Sequence, residues 1–392
     1  MARYRARGLA AIVASLALAG GCAAPAAASN RPENGRPAAP PPPAAVPPAP
    51  LAAATTAVPA PAAPSRLWPF KHLFNTDYVD VRAIAERHGL TPAWVVSGRV
   101  LQLADERGRV RLRFEDRKRD FHLDGVRVFL GEGTVSYQGS LYVSKVDVIK
   151  TIAPLLRPAD YAAHLPAPPK LIVLDPGHGG NDPGTQNAVL RLSEKDLTLD
   201  VVKRLKKLLE ARGYAVRLTR SDDRRVELDS RPGIANEAKA DLFVSVHFNR
   251  AEASVAGTEV YALTPQFQIS TQPEQDKSMV ATAYPGNRQD FGNVLLGYQL
   301  HRAVVAGLKT ADRGFKHYRW AVLRFPDCPA ALVEAAFLSN DAEARRVATP
   351  EFRQQIAEAI AGGIDDYAAT LAALRRPASL PVETPVPPPS SK

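Results

Sequence analysis

The chain has 392 residues with a formal net charge of +10, and 45% of them are hydrophobic. That is room for two ordinary domains or one large one with a packed core, and the basic balance favours an anionic partner: an envelope polymer, a membrane surface or nucleic acid. Two cysteines, Cys22 and Cys328, exclude a disulfide framework and a thiolate zinc site.

The opening "MARYRARG" supplies three arginines, and "LAAIVASLALAGG" follows as an apolar run too short and small-sided for a stable membrane span. This is the pattern of an export signal over 1–22. Leu18, Ala19, Gly20 and Gly21 ahead of Cys22 resemble a bacterial lipobox, which implies a lipid on Cys22 and a membrane partner through it. Ordinary cleavage near "AAPAAAS" is the alternative. Ala23 after the cysteine resembles the outer-membrane sorting pattern of Gram-negative lipoproteins, so the expected location is periplasmic and outer-membrane-anchored. Residues 23–66 are almost wholly Ala and Pro and read as a disordered, semi-extended tether; 376–392 reads as a disordered tail of the same kind.

Residues 67–160 read as a small α+β domain. "DVRAIAERHG" (80–89) has helical spacing and a glycine stop, and "RVRLRFED" (109–116) alternates as a half-buried strand with arginines outward. "VRVFLGEGTVSYQGSLYVS" (126–144) predicts two or three short strands, and "KVDVIKTIAPLL" a closing helix. The pattern resembles the copper amine oxidase N-terminal-like domain that accompanies some cell-wall hydrolases. The segment holds no metal-ligand cluster, so copper chemistry is not implied. Its arginine stripe is either a glycan-binding face or a solvated one.

Residues 170–370 alternate strand and helix, which predicts a layered α/β domain with a mostly parallel central sheet. "KLIVLD" is a strand, and "SEKDLTLDVVKRLKKLLEARG" a helix with Leu197, Val201, Leu205 and Leu208 as its stripe. Ser193 and Asp196 stand in capping-box positions, and Gly213 stops the helix. "SRPGIANEAKA" is a helix with Pro232 in its first turn. "DLFVSVHFN", "GTEVYAL" and "AALVEAAF" read as strands, and "PEFRQQIAEAIAGGIDDY" as the last helix. The polar stretch 264–300 reads as a mobile loop bordering the groove, following a strand expected beside that of His247.

In open α/β sheets ligands bind beyond the carboxyl ends of the strands. His178 follows the first strand inside "LIVLDPGHGGNDPG", His247 lies at the end of the strand 242–247, Glu334 lies at or near the end of "AALVE", and Glu194 opens the first helix. Two histidines and a carboxylate are a common zinc set in hydrolases, leaving one position for water. The residues are far apart in sequence, so only the fold can assemble them. Taken singly each has a plain reading: a satisfied polar group at a strand end for the histidines, a first-turn acid for Glu194. Glu334 inside "ALVEAAF" is the odd one, because an isolated carboxylate is costly to bury. The glycine loop lacks the G-K-[ST] of a phosphate loop. Cys328 lacks a helix N-terminus to activate it and reads as a packed small residue.

"LDPGHGGNDPG", "EKDLTLDV", "ADLFVSVHFN" and "RGFKHYRWAVLRFPDCPAALVEAAFLSN", in that order, resemble the zinc-dependent N-acetylmuramoyl-L-alanine amidases of the amidase-3 family over about 170–368. Ala336 stands where many members carry glycine. The resemblance implies one zinc ion (Zn2+) on His178, Glu194 and His247, with Glu334 as the catalytic carboxylate. It implies hydrolysis of the amide joining N-acetylmuramic acid to L-alanine in peptidoglycan. Asp175 is expected to brace the glycine loop or accept from the His178 ring, and Asn249 to donate to substrate or cap its strand. A catalytically silent wall-binding lipoprotein is the alternative. Nucleic acid is not expected as a partner, and any activator protein is unspecified.

Overall fold

The computed structural model describes residues 68–272 and 279–375. The signal segment, Cys22, the Ala/Pro tether and the C-terminal tail lie outside the described residues.

One 11-stranded sheet runs through both halves of the chain. From the first segment come β1 (Thr91–Val96), β2 (Val100–Ala104), β3 (Val110–Glu115), β4 (Asp120–Leu123) and β5 (Val126–Phe129). The second supplies β6 (Leu171–Pro176), β7 (Ala215–Leu218), β8 (Leu242–Asn249), β9 (Thr258–Leu263), β10 (Asp312–Tyr318) and β11 (Ala330–Phe337). Their order across the sheet is β7-β6-β8-β11-β9-β10-β5-β4-β3-β2-β1. β7, β6, β8 and β11 are parallel; β9 is antiparallel to β11 and parallel to β10. β10 meets β5 at Phe315 opposite Val128, and from there the sheet is an antiparallel meander. The composition change near 160 therefore does not interrupt the sheet. A second, 4-stranded sheet packs within the first segment.

The strands of the second half are apolar on both faces because both are covered. Helices α1 (Glu194–Ala211), α3 (Asp290–Leu308) and α4 (Pro350–Ala373) lie on one side, with α2 (Ser230–Glu237) on the other. Ile172 and Leu174 pack with Val201, Leu205 and Ile360, whereas Val173 between them packs with Ala235, Phe243 and Leu332. Each such fully buried side chain contributes about 1.5–3 kcal/mol.

Several local expectations change. Ser193 holds the N-cap position of α1, but its side chain makes no cap bond. Leu209 completes the buried stripe of α1, with Leu208 only partly covered. β9 lies beside β11, one strand further from β8 than expected, because β11 intervenes. The stretch 264–300 is not a mobile loop in its described parts. Gln268 and Ser270 are buried, Arg119 donates to the Ser270 and Thr271 carbonyls, and the Gln268 amide donates to Asp147 at 2.7 Å. Residues from Asp290 onward are the buried start of α3. Gln268 and Asp290 are polar because they bind Asp147 and Lys150 of the first segment, partners invisible to local sequence pattern.

Candidate active site

β6 ends at Pro176 and the chain turns at once. Gly177 has no room for a side chain: a Cβ there would stand 2.3 Å from His247 Cε1. Gly184, at φ +65°, leaves space in which a Cβ would meet Glu194 Oε2 and His178 Cδ2 at 2.6 Å each. The glycines thus let the loop close onto the ring of His247 and onto Glu194. His178 itself is held at φ +60°, a conformation that a non-glycine residue keeps only when its surroundings impose it. Buried Arg220 and Arg231 impose it. Arg220 donates to the Pro176 and Gly177 carbonyls at 3.0 and 2.7 Å, and Arg231 donates to the His178 carbonyl at 2.8 Å.

Asp175 lies below this loop with no solvent exposure. It accepts from Arg231 at 2.7 Å, Thr219 at 2.5 Å and Ser245 at 2.7 Å. Burial would raise its carboxyl, but Arg231 and these donors hold it below the ordinary range. It braces the loop and does not touch the His178 ring. The ring's acceptor is Asp182, whose Oδ2 lies 2.8 Å from His178 Nδ1. Sequence reasoning passed over Asp182, although it stands four residues on in the same "HGGND" turn.

His178, Glu194 and His247 converge, each offering one ligand atom within 4.8 Å of the others. Among the described residues this is the one His/Cys/Asp/Glu group of three or more placed to hold a metal ion. Glu194 Oε1 lies 3.2 Å from His178 Nε2 and 2.9 Å from His247 Nδ1. Thr185 N–H and Phe248 N–H also donate to this carboxylate, at 2.8 and 3.0 Å, and fix its plane. Burial opposes ionisation of Glu194, but the two histidines outweigh it and hold its carboxyl far below the usual range. Burial likewise opposes charge on His178, and Glu194 and Asp182 prevail, raising it to about 9. The pocket therefore favours positive charge between the carboxylate and the rings, where a divalent cation would take the place of the proton. An N,N,O set with both imidazoles on one side of a fixed carboxylate suits such an ion.

Glu334 is on β11 directly opposite His247. It is mid-strand and not at a strand end, because β8 and β11 both continue past the site. Its Oε2 is enclosed without a hydrogen-bond partner. Burial first, then the carboxylates of Glu194 and Glu259, push Glu334 well above the usual carboxylate range, with Lys316 opposing. Glu259 faces it from β9 and is bound by Lys316 at 2.6 Å, Arg313 at 2.8 Å and Tyr261 OH at 2.7 Å. Asn249 joins the same network: its amide donates to Glu259 at 3.1 Å and its side-chain oxygen accepts from Arg250 N–H at 2.7 Å. Cys328 is buried, which pushes its thiol up to about 12 and leaves it inert. A cleft of about 410 Å³ opens over His178 and His247 and is lined by Arg225, Glu227, Val322 and Arg324.

Residues 172–366 match the family model described as N-acetylmuramoyl-L-alanine amidase. The chain is 31% identical over 217 residues to the uncharacterised protein YqiI of Bacillus subtilis, covering 55% of this chain and 91% of that one. It is 31% identical over 222 residues to the N-acetylmuramoyl-L-alanine amidase AmiA of Escherichia coli, covering 50% of this chain and 76% of that one. With the N-acetylmuramoyl-L-alanine amidase AmiC of Neisseria meningitidis it shares 34% identity over 218 residues, 50% of this chain and 52% of that one, so the chain spans about half the length of that relative. By this match the chain belongs to the N-acetylmuramoyl-L-alanine amidase family.

Proposed function

We propose that the chain is a zinc-dependent peptidoglycan hydrolase that cleaves the amide between N-acetylmuramic acid and L-alanine. The observation that carries this is Glu334. Its Oε2 is enclosed and unpartnered, and the residue stands on the same rung as His247 beside the Glu259–Lys316–Arg313 network. A fold using the site only to bind wall polymer has no need of that carboxylate, which is costly to bury.

His178, Glu194 and His247 would hold the zinc ion. When bound, it supplies Lewis-acid polarisation of the amide carbonyl and activation of water near neutral pH. Asp182 fixes the His178 ring so that Nε2 faces Glu194. Glu334 takes the proton of the attacking water and hands it to the L-alanine nitrogen, which then leaves as an amine. A raised carboxyl is suited to this double duty, since it accepts a proton readily. Glu259, on the neighbouring strand, is held by Lys316 and Arg313.

Export, a lipid on Cys22 and outer-membrane anchoring belong to the same proposal. Support comes from the apolar run ending in "LAGGC". The first segment is proposed as a copper amine oxidase N-terminal-like module without metal chemistry. Mass analysis of muropeptides after digestion, with and without a chelator, tests the activity. Free L-alanine-terminated stem peptides that vanish on chelation and return with zinc are expected. Full activity in a verified metal-free sample overturns the metal, and intact glycan–peptide bonds overturn the reaction. A mature N-terminus without lipid by mass spectrometry overturns the anchor.

A further inference from the structure

The cleft over the two histidines is lined by three arginines, and they differ in what they are bound to. Arg231 is committed to Asp175. Arg225 is committed to Glu227, with Nε–Oε1 at 2.6 Å and Nη2–Oε2 at 3.2 Å, and to Asn181 at 3.0 Å. Arg324 has no ion pair among the described residues, and its Nε is enclosed without a hydrogen-bond partner. Its guanidinium lies over the rings of Tyr284 and Phe325, 5.5 and 5.3 Å from their centroids. Stacked rings hold a guanidinium in one orientation while leaving its edge N–H groups unused. Of the acids in the same lining, Asp182 is tied to His178, Glu227 to Arg225, and Asp229 is exposed.

We propose that Arg324 is a specificity-determining residue that binds a free carboxylate on the peptide side of the scissile amide. The proposal rests on the amidase reading and names the substrate class: an acidic stem peptide whose carboxylate is unmasked. A guanidinium at the cleft wall with no acid of its own among the described residues matches a planar carboxylate through its edge N–H groups, the enclosed Nε staying out of reach. A neutral sugar ring offers no charge to match it, which assigns this side of the cleft to peptide and not to glycan. Tyr284 belongs to the stretch 264–300, so that stretch supports the cleft by fixing Arg324.

The test compares N-acetylmuramoyl-L-alanyl-D-isoglutamate with its isoglutamine counterpart, for the zinc-loaded wild type, Arg324→Gln and Arg324→Lys. The wild type should favour the free acid by about tenfold or more in kcat/KM, mainly through KM. Arg324→Gln should lose that preference, with kcat/KM falling about tenfold further on the free acid than on the amidated substrate, and Arg324→Lys should restore part of it. An equal fall on both substrates, or a wild type indifferent to amidation, overturns the proposal. A parallel calorimetric titration uses the dipeptide L-alanyl-D-isoglutamate and its amide. If no variant hydrolyses either substrate, the amidase reading fails and the titration alone decides. Acid bound better than amide by the wild type but not by Arg324→Gln upholds the carboxylate site; equal binding of both overturns it.

Discussion

Glu334 shares one rung of the sheet with His247 on one side and Glu259 on the other. The proposed base and a candidate metal-ligating ring are therefore fixed relative to each other by backbone hydrogen bonds of two adjacent strands, not by a loop. Positions on regular elements are held more tightly than positions on loops, which is what a proton transfer between fixed atoms requires.

Glu334→Gln keeps the shape of the side chain and removes its proton affinity. The variant should bind zinc at wild-type stoichiometry and melt at the wild-type temperature, with turnover lowered by roughly 10²–10⁴-fold. His178→Ala should lose both metal and turnover. Metal analysis alongside the assay separates the two. If Glu334→Gln sheds zinc as His178→Ala does, the glutamate is a ligand and the roles assigned here are wrong.

Asp182 and Asp175 should separate cleanly by what they lose. Asp182→Asn leaves the fold intact but unfastens the His178 ring, so zinc affinity in a chelator competition should fall by about 10–100-fold. Asp175→Ala strands Arg231, which is 4% exposed at its side chain, and should cost about 3–5 kcal/mol of stability. Urea unfolding reads the second effect, and a normal unfolding midpoint for Asp175→Ala would refute the bracing role.

Gln268→Ala should destabilise the protein by about 1–3 kcal/mol, because its amide donates to Asp147 in a fully buried pocket. Burial already raises the Asp147 carboxyl, with the Gly131, Ser144 and Glu132 donors opposing. A surface loop residue would shift the midpoint by no more than the scatter of repeat melts, and that result would restore the loop reading of this stretch.

His317 is buried beside the ring of Phe315, 4.8 Å between centroids. Burial pushes it from 6.5 down to about 3; a backbone contact with Phe129 opposes this and Arg319 adds to it. The folded state thus refuses a proton that the unfolded chain accepts. Its contribution is constant above about pH 6.5, and stability is lost as pH falls from there toward 3, by at most about 1.4 kcal/mol per pH unit. Compared with His317→Gln, the wild type should lose more stability between pH 7 and pH 5. Parallel curves for the two proteins would show that His317 titrates normally.

The chemistry-bearing residues were legible in the sequence because each sits at a punctuation mark of local structure. His178 follows a strand into glycines, Glu194 opens a helix, His247 nears a strand's end, and Glu334 interrupts an apolar run. What sequence left open was everything set by strands far apart in the chain. Asp175 is the acceptor for His178 that the sequence suggests, and only the folded turn at Gly177–Gly184 brings Asp182 to the ring in its place. Asn249 looks available until Glu259 arrives from another strand. The polar residues of 264–272 look like surface until β10 meets β5 and the first segment supplies their partners. Local spacing determines which groups are present and which element each begins or ends. Pairing between strands, which depends on long-range burial and on the order of the sheet, decides which group each one touches.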